Sequence, residues 1–141
     1  MPALFEIAKE LPEIEFRIAG KAHDVPGKPN GIVDDETNIA LNNLKKLKNV
    51  VFMGLVPREE VSNFLAEAYC LLNTSNHEGF SNTYLEALSV NTPVVTRSAT
   101  DPDGIIKKNN LGLIADEYYQ LPKLLKEITR LDHGERRILS K

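Results

Sequence analysis

Two carboxylates and the small polar residues between them stand closest to chemistry in this 141-residue chain: His77-Glu78-Gly79-Phe80-Ser81-Asn82-Thr83-Tyr84-Leu85-Glu86-Ala87-Leu88. An apolar run, Ala68-Tyr69-Cys70-Leu71-Leu72, and a polar turn, Asn73 to Asn76, precede this stretch; Asn91-Thr92-Pro93 and the apolar Val94-Val95 follow it. The order reads as strand, loop, helix, turn, strand. The helix begins near Ser81 or Asn82, where either side chain can cap it by accepting from a backbone N–H. The unpaired N–H groups of a helix start favour an anion such as a phosphate. Glu78 lies in the loop and Glu86 one to two turns into the helix, and a reversal at Gly79 can bring both to one mouth. Amides for phosphate and carboxylates for vicinal hydroxyls make up the chemistry a nucleotide-sugar needs, each charged hydrogen bond contributing roughly 1.5–3 kcal/mol. On spacing alone, two glutamates this far apart are more often two solvated acids.

The elements that must position these groups can be read outward from them. Residues 2–11 carry Leu4, Ile7, Ala8 and Leu11 at helical spacing, and Pro12 ends the helix. Glu13 to Ala19 alternates through Ile14, Phe16 and Ile18 as a strand closed by Gly20, a position where the backbone can approach a ligand or simply turn. Residues 21–35 form a long Gly-, Pro- and Asp-rich loop with Lys21, His23 and Lys28, followed by a helix over 36–47 with Ile39, Ala40, Leu44 and Leu47 on its apolar side. Asn49-Val50-Val51-Phe52-Met53-Gly54 is a second strand ending in glycine. Pro57 with Glu59 and Glu60 opens the next helix, whose core face is Val61, Phe64, Leu65 and Ala68. The third strand is 69–72 and the fourth 93–97. Ser98 to Gly104 is a loop at the same edge as the Glu78 loop, Ile105 to Lys108 a short helix, and Leu111 to Ile114 a fifth strand. A last helix over 117–131 buries Leu121, Leu124, Leu125 and Ile128, and 132–141 reads as a charged tail. Apolar strands alternating with helices predict an α/β, Rossmann-like three-layer domain over 1–131, a mostly parallel sheet with helices on both faces. Ligands of such sheets bind outside the carboxyl ends of the strands.

Composition excludes several classes. Charged residues make up 26% of the chain and net charge is −3, which argues against a nucleic-acid surface. The single cysteine, Cys70, lies in an apolar run and reads as a buried structural thiol. No apolar run approaches the roughly 18 residues of a membrane span. Glu6, Lys9, Glu10, Glu13 and Glu15 are incompatible with a signal peptide, so the expected setting is the cytoplasm. No G-x-G-x-x-G follows a strand, which disfavours a dinucleotide oxidoreductase. The first strand ends Ala19-Gly20-Lys21, without the acidic cluster of a response regulator.

The string Glu78-Gly79-Phe80-Ser81-Asn82-Thr83-Tyr84-Leu85-Glu86-Ala87-Leu88, continued by Asn91-Thr92-Pro93-Val94-Val95, resembles the E-x7-E segment of the retaining group 1 (family 4) glycosyltransferases, two-domain enzymes of the GT-B arrangement. The strand Asn49 to Gly54 resembles their N-V-x-F-x-G strand, and nearly the whole chain is similar to their nucleotide-sugar-binding C-terminal domain. The resemblance implies transfer of a sugar from a nucleoside-diphosphate sugar to an acceptor, with no cofactor and no metal. It implies that Glu86 holds the ribose hydroxyls and that Glu78 is the catalytic-site glutamate facing the donor sugar. Gly79 and the backbone N–H groups of Phe80, Ser81, Asn82 and Thr83 would meet sugar and phosphates. Gly20 and Gly54 would leave room for the nucleotide, and Leu55 and Val56 would lie against the base. Where many relatives carry paired glycines and a glutamate, this chain has Asp101-Pro102-Asp103-Gly104-Ile105-Ile106. Relatives also have an upstream strand, a basic Arg and Lys pair for the phosphates, and a whole N-terminal acceptor domain. This sequence therefore reads as a domain incomplete at its N-terminus, inactive alone, with any peripheral membrane contact made through other parts of the protein. The alternative is a non-catalytic Rossmann-like nucleotide-binding or interaction domain.

Overall fold

Pro2 opens the first helix, α1 (Pro2–Glu10), at a position where a missing N–H leaves no intrahelical bond unmade. A computed structural model describes residues 1–20, 35–76 and 80–138 of the chain. Lys21, His23 and Lys28, and also His77, Glu78 and Gly79, lie outside the described residues. Two compact units are present, Met1–Val56 and Pro57–Lys141.

In the first unit α1 is followed by β1 (Phe16–Ala19), α2 (Asp35–Leu44) and β2 (Val50–Gly54). The two strands pair in parallel, from Phe16 opposite Val50 to Ala19 opposite Gly54, with an irregularity between Ile18 and Ala19. Helices α1 and α2 pack together over Ile7, Ala8, Leu11, Ala40 and Leu44, all buried. Ile39, expected on the inner side of α2, is 62% exposed. The inward stripe runs through Ala40 and its i+4 neighbour Leu44, about 100° round the helix from Ile39. Leu47 lies beyond the end of α2, in the turns that lead to β2. Asn49, the first residue of the N-V-x-F-x-G strand, has a purely architectural place. Its side-chain amide donates to the carbonyls of Ala8 and Leu11 at 2.9 Å and of Ile14 at 3.0 Å, tying the end of α1 and the turn after it to the start of β2.

The second unit opens with a 3₁₀ turn, Arg58–Glu60, running into α3 (Val61–Ala66). Then come β3 (Leu71–Leu72), α4 (Asn82–Ser89), β4 (Val94–Arg97), α5 (Ile105–Lys108), β5 (Gly112–Ala115) and α6 (Leu121–Arg130). Strands β3, β4 and β5 form a parallel sheet in that order, Leu71 opposite Val94 and Val94 opposite Gly112. Val94 packs with Tyr84 of α4 and Ile106 of α5, so one face of β4 carries those helices. By alternation Val95 and Arg97 point to the other face, and α6 packs on β4 and β5 with Leu121, Leu125 and Ile128 buried. The buried hydroxyl of Thr92 donates to the Leu65 carbonyl at 2.8 Å and joins the turn before β4 to the end of α3.

The fold class is α/β with parallel strands, as expected, but the described strands form two ladders, β1-β2 and β3-β4-β5, instead of one five-stranded ladder. The stretch read as a tail contains a further helix, α7 (His133–Ile138). Its start is a reciprocal cap: the Glu135 N–H donates to Asp132 Oδ1 and the Asp132 N–H to Glu135 Oε2, both at 2.9 Å.

Candidate functional site

Ser81 caps α4 as its sequence position suggests. The Thr83 N–H donates to Ser81 Oγ at 3.3 Å and the Tyr84 N–H to the Ser81 carbonyl at 3.0 Å. Phe80 is half-buried, edge-on to the Tyr84 ring with centroids 5.4 Å apart, so its side chain packs inward. Asn82, Thr83 and Glu86 are all exposed, and Glu86 lies four residues after Asn82 and three after Thr83, on the same side of the first two turns of α4. The fold thus brings Glu86 to the same surface as the helix start, with its carboxylate open to solvent. Glu78 and Gly79, the loop partners expected there, are outside the described residues.

What holds this helix start at the carboxyl edge of the sheet is a buried chain of hydroxyls. Asn73 Nδ2, just past β3, donates to the Tyr84 hydroxyl at 2.9 Å. Tyr84 Oη lies 3.1 Å from Thr96 Oγ1, which meets Thr100 Oγ1, and Thr100 donates to the Arg97 carbonyl at 3.0 Å. One direction uses every proton once, from Asn73 through Tyr84, Thr96 and Thr100 to the carbonyl. The chain joins β3, α4, β4 and the turn after β4, and Tyr84, Thr96 and Thr100 are completely buried. A buried network of this kind fixes geometry because any broken link leaves a polar group without water.

Ser98 to Gly104, expected to depart from the family's glycine-rich pattern, is used for support. Asp101 is buried, and its two carboxylate oxygens accept from the N–H groups of Ile106 and Lys107, each at 3.1 Å. It caps α5 from outside the helix while Gly104 turns with φ 65°. Beside this loop the structure adds two residues that sequence reasoning passed over. The Arg97 guanidinium, at the end of β4, lies 3.8 Å from the centroid of the Tyr118 ring. The Tyr118 hydroxyl donates to the Thr74 carbonyl at 3.1 Å and to Asn76 Oδ1. A cation at the last position of a strand in a parallel sheet was a legible signal; its aromatic partner was not.

Gly20 and Gly54 belong to the first unit, where they close β1 and β2. The Gly20 N–H donates to the Gly54 carbonyl at 2.7 Å. Both have positive φ, 115° and 67°, and a Cβ on either would meet nothing within 4 Å. Backbone conformation, with open space in front, is therefore what favours glycine here. Leu55 is exposed and Val56 half-buried directly after them.

Among the described residues no three of His, Cys, Asp and Glu gather as a metal site, and Arg17 and Glu15 form an exposed ion pair at 2.7 Å. Cys70 is half-buried as a residue; desolvation pushes its thiol up to about 12, with Arg136 pulling the other way, so it stays protonated at neutral pH. No helix among the described residues is long and apolar enough to cross a membrane.

With this geometry in place, comparison with known proteins settles the family. The model of the glycosyl transferases group 1 matches residues 3–139. The chain belongs to this family. A group 1 relative from Xenopus tropicalis, glycosyltransferase 1 domain-containing protein 1, is 27% identical over 99 residues, 70% of this chain and 29% of its own length. The chain thus spans under a third of that curated relative. Among solved structures, the C-terminal domain of the glycosyl transferase group 1 family protein LpcC from Francisella tularensis aligns with 99% of this chain and 71% of its own, at a TM-score of 0.70 and 20% identity. The N-terminal domain of Candida albicans trehalose-6-phosphate phosphatase aligns with 96% of this chain and 39% of its own, at a TM-score of 0.64 and 14% identity. At those identities the two structures establish the shared fold. The fold matches that of the C-terminal domain of a GT-B glycosyltransferase.

Proposed function

We propose that this domain binds the nucleoside-diphosphate sugar of a retaining glycosyltransferase and works with an acceptor-binding domain of the same protein in the cytoplasm. The observation that carries the proposal is the capped start of α4 at the carboxyl edge of a parallel sheet, with Glu86 exposed on the same side, in a chain of the group 1 family. Glu86 accepts from the two ribose hydroxyls. Glu78 faces the donor sugar, orients it and stabilises the positive charge that develops at the anomeric carbon. Amides of Gly79 to Thr83 meet sugar and phosphate oxygens. The Thr83 N–H already has a bond to Ser81 Oγ, exposed and long enough for a ligand oxygen to replace it. Gly20 and Gly54 admit the nucleotide, with Leu55 and Val56 against the base. Catalysis then consists of positioning the donor and stabilising the leaving diphosphate.

Proton NMR of the product made by the full-length protein tests the reaction class. The anomeric configuration of the donor sugar is expected to be kept in the first product formed. Inversion, or hydrolysis with no sugar transferred to any acceptor, would contradict it.

A further inference from the structure

The Arg97 guanidinium has its charge and its donors, and its Nε finds no acceptor among the described residues. Nε is buried and meets no hydrogen-bond partner, and no carboxylate among the described residues pairs with the group. The acids that follow its register partner Ala115 are engaged elsewhere or open to solvent: Glu117 caps the turn at Tyr118–Gln120, and Asp116 is exposed. A buried donor without an acceptor costs on the order of 1–3 kcal/mol, so such groups are normally matched by water, an ion or a ligand. The guanidinium is also held in place. Its central carbon lies 3.8 Å from the centroid of the Tyr118 ring, and the Tyr118 hydroxyl is itself fixed on Thr74 and Asn76. A ring contact of this kind uses none of the N–H donors and leaves the fork, the part of arginine that matches a phosphate or carboxylate with two parallel hydrogen bonds. The position is the last residue of β4, at the carboxyl edge where parallel sheets take their ligands, on the face of β4 opposite Thr96 and α4.

We propose that Arg97, backed by Tyr118, is an oxyanion site of this domain, separate from the α4 start, that takes phosphate oxygens. It stands beside the donor assignment and does not depend on it. The anion reaches the half-buried arginine from the edge of the sheet, takes the N–H donors in the guanidinium plane, and supplies the acceptor that the described residues do not.

The test is titration of inorganic pyrophosphate, and separately of a nucleoside diphosphate, into the full chain labelled with ¹⁵N. The Arg97 Nε–Hε signal, identified by its loss in Arg97→Lys, is followed together with calorimetric affinity. Pyrophosphate is expected to shift that signal and slow its exchange with water. Arg97→Gln and Tyr118→Leu should each weaken binding by about tenfold or more, and Arg97→Lys by several-fold, since lysine keeps the charge and loses the fork. Melting curves show that each variant is folded; should Arg97→Gln fail to fold, Arg97→Lys carries the comparison. Equal pyrophosphate affinity in wild type and Arg97→Lys with an unmoved Nε–Hε signal would overturn the site, as would a folded wild type that binds no phosphate at millimolar concentration. Glu86→Ala separates the two assignments: it should leave pyrophosphate binding unchanged. Arg97-dependent pyrophosphate binding with no response to any nucleotide would sink the donor assignment alone.

Discussion

An ideal Cβ on Gly112 would fall 1.8 Å from the Val94 carbonyl oxygen, closer than any packing adjustment of a side chain can relieve. Only glycine fits where β5 approaches β4. Gly112→Ala is expected to destabilise the chain by about 3 kcal/mol or more, read as a drop in denaturant midpoint, because backbone has to move. A variant as stable as wild type would mean that the two strands are further apart than described. From sequence, Gly112 was merely the second residue of an apolar strand; its steric role depends on a residue 18 positions earlier in the chain. The same holds for Asn49. Its place in the N-V-x-F-x-G strand was legible, whereas the three carbonyls it bridges come from α1 and the turn after it. Ser81 was the opposite case, since an N-cap is a local pattern and its bond to the Thr83 N–H follows from spacing alone.

At the scale of elements, the start of α4 is the proposed donor site. Helix periodicity, apolar runs and glycines were enough to place α1 to α6 and β1 to β5 within a few residues. Strand ends moved inward, β3 shortening to Leu71–Leu72, because propensity cannot tell where pairing stops. The last helix, α7, announced itself as Asp132-His133-Gly134-Glu135, a D-x-x-E cap that charge and position at the end of the chain obscured. The hydroxyl chain from Asn73 to Thr100 was not legible, because it unites side chains that share no local pattern. Tyr84→Phe removes its central link, so the bonds to Asn73 Nδ2 and to Thr96 Oγ1 are lost. A loss of about 1–2 kcal/mol is expected, with faster amide exchange in the first turn of α4, and both are measurable by NMR. Unchanged exchange at Thr83 and Leu85 would show that the network does not hold the helix start.

The whole chain is a group 1 glycosyltransferase domain built as two compact units, each with its own parallel ladder. The family was legible because its motif spans strand, loop, helix and strand in one continuous stretch, and a string of that length is far more specific than two glutamates at a fixed spacing. The expectation of one sheet was less secure, since strand count and direction follow from local sequence while strand order does not. The central claim is that the surface around the start of α4 takes a nucleoside-diphosphate sugar through Glu86. Calorimetric titration of a panel of nucleoside diphosphates and their sugars into the full-length protein and into Glu86→Ala tests it most directly. One base should bind selectively, and Glu86→Ala should weaken it about 10- to 100-fold, the loss of charged hydrogen bonds to ribose. Binding of every nucleotide unchanged by Glu86→Ala, or no binding by the folded full-length protein, would contradict the account.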